Sequence, residues 1–383
     1  LETTARLRRE GIPVVGVQSE LFSHRDKNYA KNRLKELSKQ KLTGDNHLEM
    51  ELKGCGFTEA LYAIVGQVME KQTVIPYSVN IETVGWGSEG RMVLREIGQT
   101  LEQAGASVNT WIPSATVEQL KKAPAAQLNL VKRVRWARRM KELFGTDYLH
   151  MNDSGRYVGL DGISCFYRDV AEKLGLREPM EQVICRETAR VEEQTRQAKA
   201  FIRQHRGVLI LRGLQSVPFT LKTYAKELGL PIDTVCICQT ERMKITAGMT
   251  PEIEANLMDR IRQAIDLFSP GTQVLVNPEE EILRERLRQV DCIVGTEDIT
   301  MEGLGAPLIP AVDRLSGPSY DSYICMVNRF SECLRTAMPR DELVLSRMEF
   351  STDDYPRYGN PSTSGARQMW ERMWLDRRKG EQA

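Results

Sequence analysis

The chain has 383 residues, 41% of them hydrophobic and 27% charged, enough for two or three domains, each with its own core. Its 53 lysines and arginines stand against 52 aspartates and glutamates, a net charge of +1, so no overall field recruits nucleic acid or a membrane surface. No stretch approaches the ~20 consecutive apolar residues of a membrane span, and eight scattered cysteines without a secretory signal argue against a disulfide framework and for a cytoplasmic setting.

Leu1 to Glu10 reads as the end of an amphipathic helix stopped by Gly11, so an upstream segment is expected, and Ile12 to Val17 reads as a strand. From Tyr77 the pattern becomes strand, glycine turn, helix. The apolar run Ser78 to Val84 is followed by Gly85, Gly87 and Gly90, then by a helix carrying Val93, Leu94, Ile97 and Leu101 on one face. A strand over Ser107 to Ile112 comes next. Pro124 is expected to open a helix whose apolar stripe, Leu130, Val134, Ala137 and Phe144, runs to Gly145. A charged helical connector, Arg186 to Arg206, precedes a second round of alternation. It comprises strands at Val208 to Leu211, Thr234 to Cys238, Gln273 to Val276 and Cys292 to Gly295, with helices ending near Gly229 and spanning Pro251 to Phe268. Such alternation predicts an α/β fold of repeated Rossmann-like, doubly wound parallel-sheet domains. The tail closes on a short helix, Ala366 to Arg378, with Met369, Trp370, Met373 and Trp374 on one side, placed to dock on the parent domain or on a partner chain.

Several motifs carry possible chemistry. Gly85-Trp86-Gly87-Ser88-Glu89-Gly90 is a literal G-x-G-x-x-G between a strand and a helix. The next strand ends in Ile112-Pro113-Ser114 without the acidic residue that a nicotinamide ribose needs, so the glycines read better as a tight turn. Lys132, Arg133, Arg135, Arg138 and Arg139 crowd one helix with Trp136, either as a solvated face or as a site for an anionic group. Cys236 and Cys238 fall on a predicted strand, where they are expected to point to opposite faces and serve the core rather than chelate a metal. Cys55, flanked by Gly54 and Gly56, is the better metal candidate of the three, although it reads more readily as an ordinary loop cysteine. The histidines, His24, His47, His150 and His205, form no local ligand motif. No H-E-x-x-H, Walker loop or G-x-S-x-G is present.

Short segments then match one family in order. Tyr77-Ser78-Val79-Asn80-Ile81, Ala115 to Leu120, Ala126 to Val131, Met140 to Gly145 and Ser316-Gly317-Pro318 resemble the alpha chain of nitrogenase component 1. Ile12 to Val15 with Glu20 and Phe22 resembles the end of that family's first domain, and Gly213-Leu214 the turn opening its last. The resemblance covers about Gly11 to Met338. It implies three Rossmann-like domains around a metallocluster cleft, a paired beta-type subunit and an ATP-dependent iron-sulfur reductase as electron donor. The expected division is a remnant of the first domain with a connector over 1–70, a second domain over 71–190, a third over 191–340 and the tail over 341–383.

Two departures from the family matter. Arg133 stands where the family has the cysteine that ligates the iron-molybdenum cofactor, while a neighbouring family arginine is kept as Arg135; no histidine occupies Ala311 to Leu315, where the second ligand is expected. The resemblance thus implies a nitrogenase-like reductase subunit that does not reduce dinitrogen and holds no iron-molybdenum cofactor. Its iron-sulfur cluster would be held mainly by the upstream segment, and Arg133, Arg135 and Arg138 would contact an anionic substrate or cofactor. A metallocluster assembly scaffold and a non-catalytic interaction subunit are the alternatives, with a nicotinamide dehydrogenase behind them.

Overall fold

The computed structural model describes residue 15 and residues 56–83, 88–151, 156–211, 213–239, 244, 249–295, 308–310 and 318–336. Cys55, the glycine turn at 84–87, the segment 311–317 and the tail from 337 lie outside these. The chain divides into two compact units. One is Leu1–Gln194 with Lys244–Asn256 and Arg314–Cys325, and the other is Thr195–Met243 with Leu257–Asp313 and Met326–Ala383.

In the first unit, α1 (Gly56–Gln67) precedes β1 (Ile75–Glu82), α2 (Ser88–Gln103), β2 (Ser107–Ile112), the short α3 (Val117–Lys121), β3 (Ala126–Val131), α4 (Val134–Phe144), β4 (Asp147–His150) and α5 (Gly159–Leu174). The four strands are all parallel in the order β2-β1-β3-β4. Val79, Ile81, Leu128 and Leu130 are buried completely or nearly so, as central strands covered on both faces require. Two buried asparagines on paired positions, Asn80 and Asn129, bond side chain to side chain at 2.8 Å. Asn109 of β2 donates to Asn80 at 2.9 Å, so a polar rung crosses three strands and fixes their register.

The second unit contains the end of α6 (Arg177–Ile202), β5 (Gly207–Leu211), α7 (Val217–Leu221) running into a π-helical turn (Lys222–Glu227), β6 (Ile232–Ile237), most of α8 (Pro251–Phe268), β7 (Gln273–Val276), α9 (Glu280–Leu287), β8 (Cys292–Gly295) and β9 (Leu308–Pro310). Its five strands are parallel in the order β7-β6-β5-β8-β9. Both sheets are thus doubly wound, and the α/β class read from the sequence holds. A last helix, α10 (Tyr320–Thr336), begins in the first unit and ends in the second. Among the described residues, no helix is long and apolar enough to cross a membrane.

Some expectations change. No helix starts at Pro124: residues Ala123–Ala125 make one 3-10 turn, Ala126–Val131 is the central strand β3, and the helix begins only at Val134. A short strand buried on both faces has no polar alternation, so Leu130 merged with the stripe of the helix that follows. The connector helix starts at Arg177, nine residues before the expected Arg186. Cys236 and Cys238 do not point apart. Residues two apart on a strand share a face, and both pack in one cluster with Val208, Ile210 and Ile293. Burial pushes the Cys236 and Cys292 thiols up to about 12, so both stay protonated and inert at neutral pH.

Candidate functional site at the carboxyl edge of the first sheet

The chain leaves β1 for β2 on one side, then crosses back to place β3 on the other side. The gap beyond the carboxyl ends of β1 and β3 is therefore the topological switch point, where doubly wound sheets bind ligands. The side chain that ends β1 there is Glu82, fully buried.

Four donors converge on it. Its Oε2 accepts the backbone N–H groups of Lys132 and Arg133 and the indole Nε1–H of Trp136, each at 2.9 Å; its Oε1 accepts Arg133 Nη1 at 2.8 Å. Arg133 is the N-cap residue of α4, with extended backbone (φ −125°, ψ 113°) and no side-chain cap of its own. Glu82 supplies that function from another strand: a carboxylate at the helix N-terminus meets unsatisfied N–H groups and the positive end of the helix dipole. With only 14% of the Arg133 side chain exposed, the ion pair is largely withdrawn from water. Trp136 is fully buried and joins the cluster of Leu61, Val65, Ile112, Val131 and Met140, so the same contact anchors α4 to the core.

The other cations of the helix are distributed differently. The guanidiniums of Arg135 and Arg139 lie over the Tyr62 ring of α1, 4.8 and 5.4 Å from its centre. Arg138 is half-buried and has interactions of its own within the chain. The rim carries further polar groups: the Thr83 and Ser114 hydroxyls are bonded at 2.8 Å, and His150 Nε2 lies 3.0 Å from the Lys132 carbonyl oxygen. Of the predicted set, Arg133 is thus placed at the N-cap of α4, turned inward onto Glu82, and Arg135 on its first turn. Sequence reasoning missed Glu82. The available signal was an acidic residue closing an apolar β run just before a glycine-rich turn.

Residues 53–325 match the nitrogenase component 1 type oxidoreductase family. The chain belongs to this family. Among solved structures, this component 1 type oxidoreductase is similar to nitrogenase Cp1 at pH 6.5, with 17% identity and a TM-score of 0.46 over 73% of this chain and 63% of that one. Nitrogenase Cp1 at pH 5 gives 17% and 0.46 over 74% and 63%. The chain therefore spans about 63% of the length of those nitrogenase chains. A periplasmic metal binding protein from Candidatus Liberibacter asiaticus aligns at 11% identity and a TM-score of 0.36, over 69% of this chain and 100% of that one. No curated protein matches the sequence.

The metallocluster that the family implies can be tested against these side chains. Among the described residues, no group of three or more His, Cys, Asp and Glu could hold a metal ion. A guanidinium already bonded to a buried carboxylate offers iron no lone pair, and iron clusters need thiolate or imidazole donors. The described residues at this edge do not fit an iron-molybdenum cofactor.

Proposed function

We propose that this component 1 type oxidoreductase is a redox subunit of a nitrogenase-like, iron-sulfur-dependent enzyme that receives electrons from an ATP-dependent reductase and acts on a substrate other than dinitrogen. It would work beside a second copy or a beta-type subunit. The observation that carries the reading is the pairing of family membership over residues 53–325 with Arg133, locked onto Glu82, at the position the resemblance gives to the cofactor cysteine. Cys55, which lies outside the described residues, is the candidate metal ligand of this chain.

In this reading the cationic start of α4 faces an anionic group of the substrate or cofactor. Arg135 and Arg138 contact that group, and Arg133, its charge balanced by Glu82, holds the helix terminus in place. A guanidinium supported on an aromatic ring loses little conformational freedom on binding a carboxylate, which suits Arg135 to the task.

The test is a metal analysis of the full chain, purified without oxygen together with the subunits that accompany it. Iron and acid-labile sulfide in stoichiometric amounts with no molybdenum are expected. Molybdenum at one atom per chain would overturn the proposal. Iron that passes to an apo-enzyme without substrate turnover would make the protein an assembly scaffold instead.

A further inference from the structure

The second unit holds a cation that the proposed chemistry does not use. Arg260 lies in the third turn of α8 with 6% of its surface exposed, on the same face as the buried Leu257, Ile261 and Ala264. Its Nε is buried without a hydrogen-bond partner, and among the described residues no ion pair or ring contact reaches the guanidinium. The residues one turn away on its own helix, Asn256, Leu257, Gln263 and Ala264, carry no charge, and the adjacent Asp259 is bonded to Arg262 at 2.6 Å instead.

Arg133, Arg135 and Arg139 also bury an unbonded Nε, but their guanidiniums meet Glu82 or the Tyr62 ring, and others are paired outright. Arg156 and Arg168 each hold a carboxylate through two nitrogens, Asp169 and Glu181, and these bonds raise their pKa. Burial alone pulls Arg260 the other way. A charged group this far withdrawn from water, with its Nε left unbonded, is disfavoured, and a bound anion would complete it.

We propose that Arg260 is the cationic centre of a binding site for a small oxyanion, a carboxylate or a phosphate. The planar fork of donors matches two oxygens on one centre, and at 6% exposure the site admits a small anion rather than the broad surface of a macromolecule. The site is independent of the redox reading.

Thermal unfolding of the full chain tests it, with inorganic phosphate or succinate titrated against chloride at constant ionic strength. A ligand that binds only the folded state raises its melting temperature as concentration grows. Wild type is expected to gain about 2–4 °C with one of the two anions, saturably, corresponding to a several-fold excess over Kd. Arg260→Met, which keeps the chain length and removes the charge, is expected to show no anion-dependent gain and to melt no lower than wild type in chloride. Arg260→Lys should keep part of the response and serves if the methionine variant fails to fold. Equal responses in wild type and the folded variant, or no saturable binding of either anion to wild type by calorimetry, would overturn the proposal. Phosphate alone or succinate alone identifies which oxyanion the site takes.

Discussion

At the scale of single residues, the account turns on Glu82 and its donors. Removing one member of a buried ion pair leaves the other uncompensated, which costs roughly 3–5 kcal/mol. Glu82→Gln and Arg133→Met are each expected to destabilise the first unit by about that amount in urea unfolding, and the double variant by clearly less than the sum, because neither charge is then stranded. Additive losses would mean that the pair does not act as one. The five cations of this stretch were legible as a run, but the carboxylate that organises them was not. Its partners Lys132, Arg133 and Trp136 lie 50 to 54 positions away in sequence, and only the β1 to β3 pairing brings them together. The same limit applied to Cys236 and Cys238, whose alternation was readable but was assigned to the wrong faces.

At the scale of elements, strands β5 to β8 of the second sheet were legible, whereas the starts of α4 and α6 and the strand β3 were not. Pro251–Phe268 and Ser107–Ile112 fall where the apolar period and the flanking turn residues placed them, whereas β3 was hidden because both its faces are covered. Contacts between elements were not legible at all. Glu96 of α2 illustrates this: it accepts the backbone N–H groups of Tyr320 at 2.7 Å and Asp321 at 3.2 Å, and the Ser319 hydroxyl, so it caps α10 across more than 220 residues. Burial pushes the Glu96 carboxyl above the ordinary value of 4.5, with the bond from Ser319 opposing it. A raised folded-state pKa means that the folded form holds its proton more tightly than the unfolded chain. The associated stability is present below 4.5 and is lost as pH rises through the folded value. The melting temperature of wild type minus that of Glu96→Gln is therefore expected to fall as pH rises from about 4 to 7. A difference that grows with pH would contradict this assignment.

At the scale of the whole molecule, collinearity carried more than any one motif. Segments such as Ala126 to Val131 and Met140 to Gly145 are weak alone, but their order pointed to the family that residues 53–325 match. The G-x-G-x-x-G run, by contrast, read better as a tight turn than as a nicotinamide site, because the next strand ends without an acidic residue. What the sequence could not supply was the chemistry at the carboxyl edge of the first sheet, because the informative feature is a residue, Arg133, whose meaning depends on Glu82 in space. The switch points of both sheets follow from strand order, and strand order is set by long-range pairing rather than by local pattern. The most direct test of the redox reading is electron paramagnetic resonance on the full chain, purified without oxygen with any subunits that copurify, before and after adding an iron-sulfur reductase and ATP. The account predicts an iron-sulfur signal that changes only when reductase and ATP are both present; a protein without iron, or a signal indifferent to both additions, would contradict it.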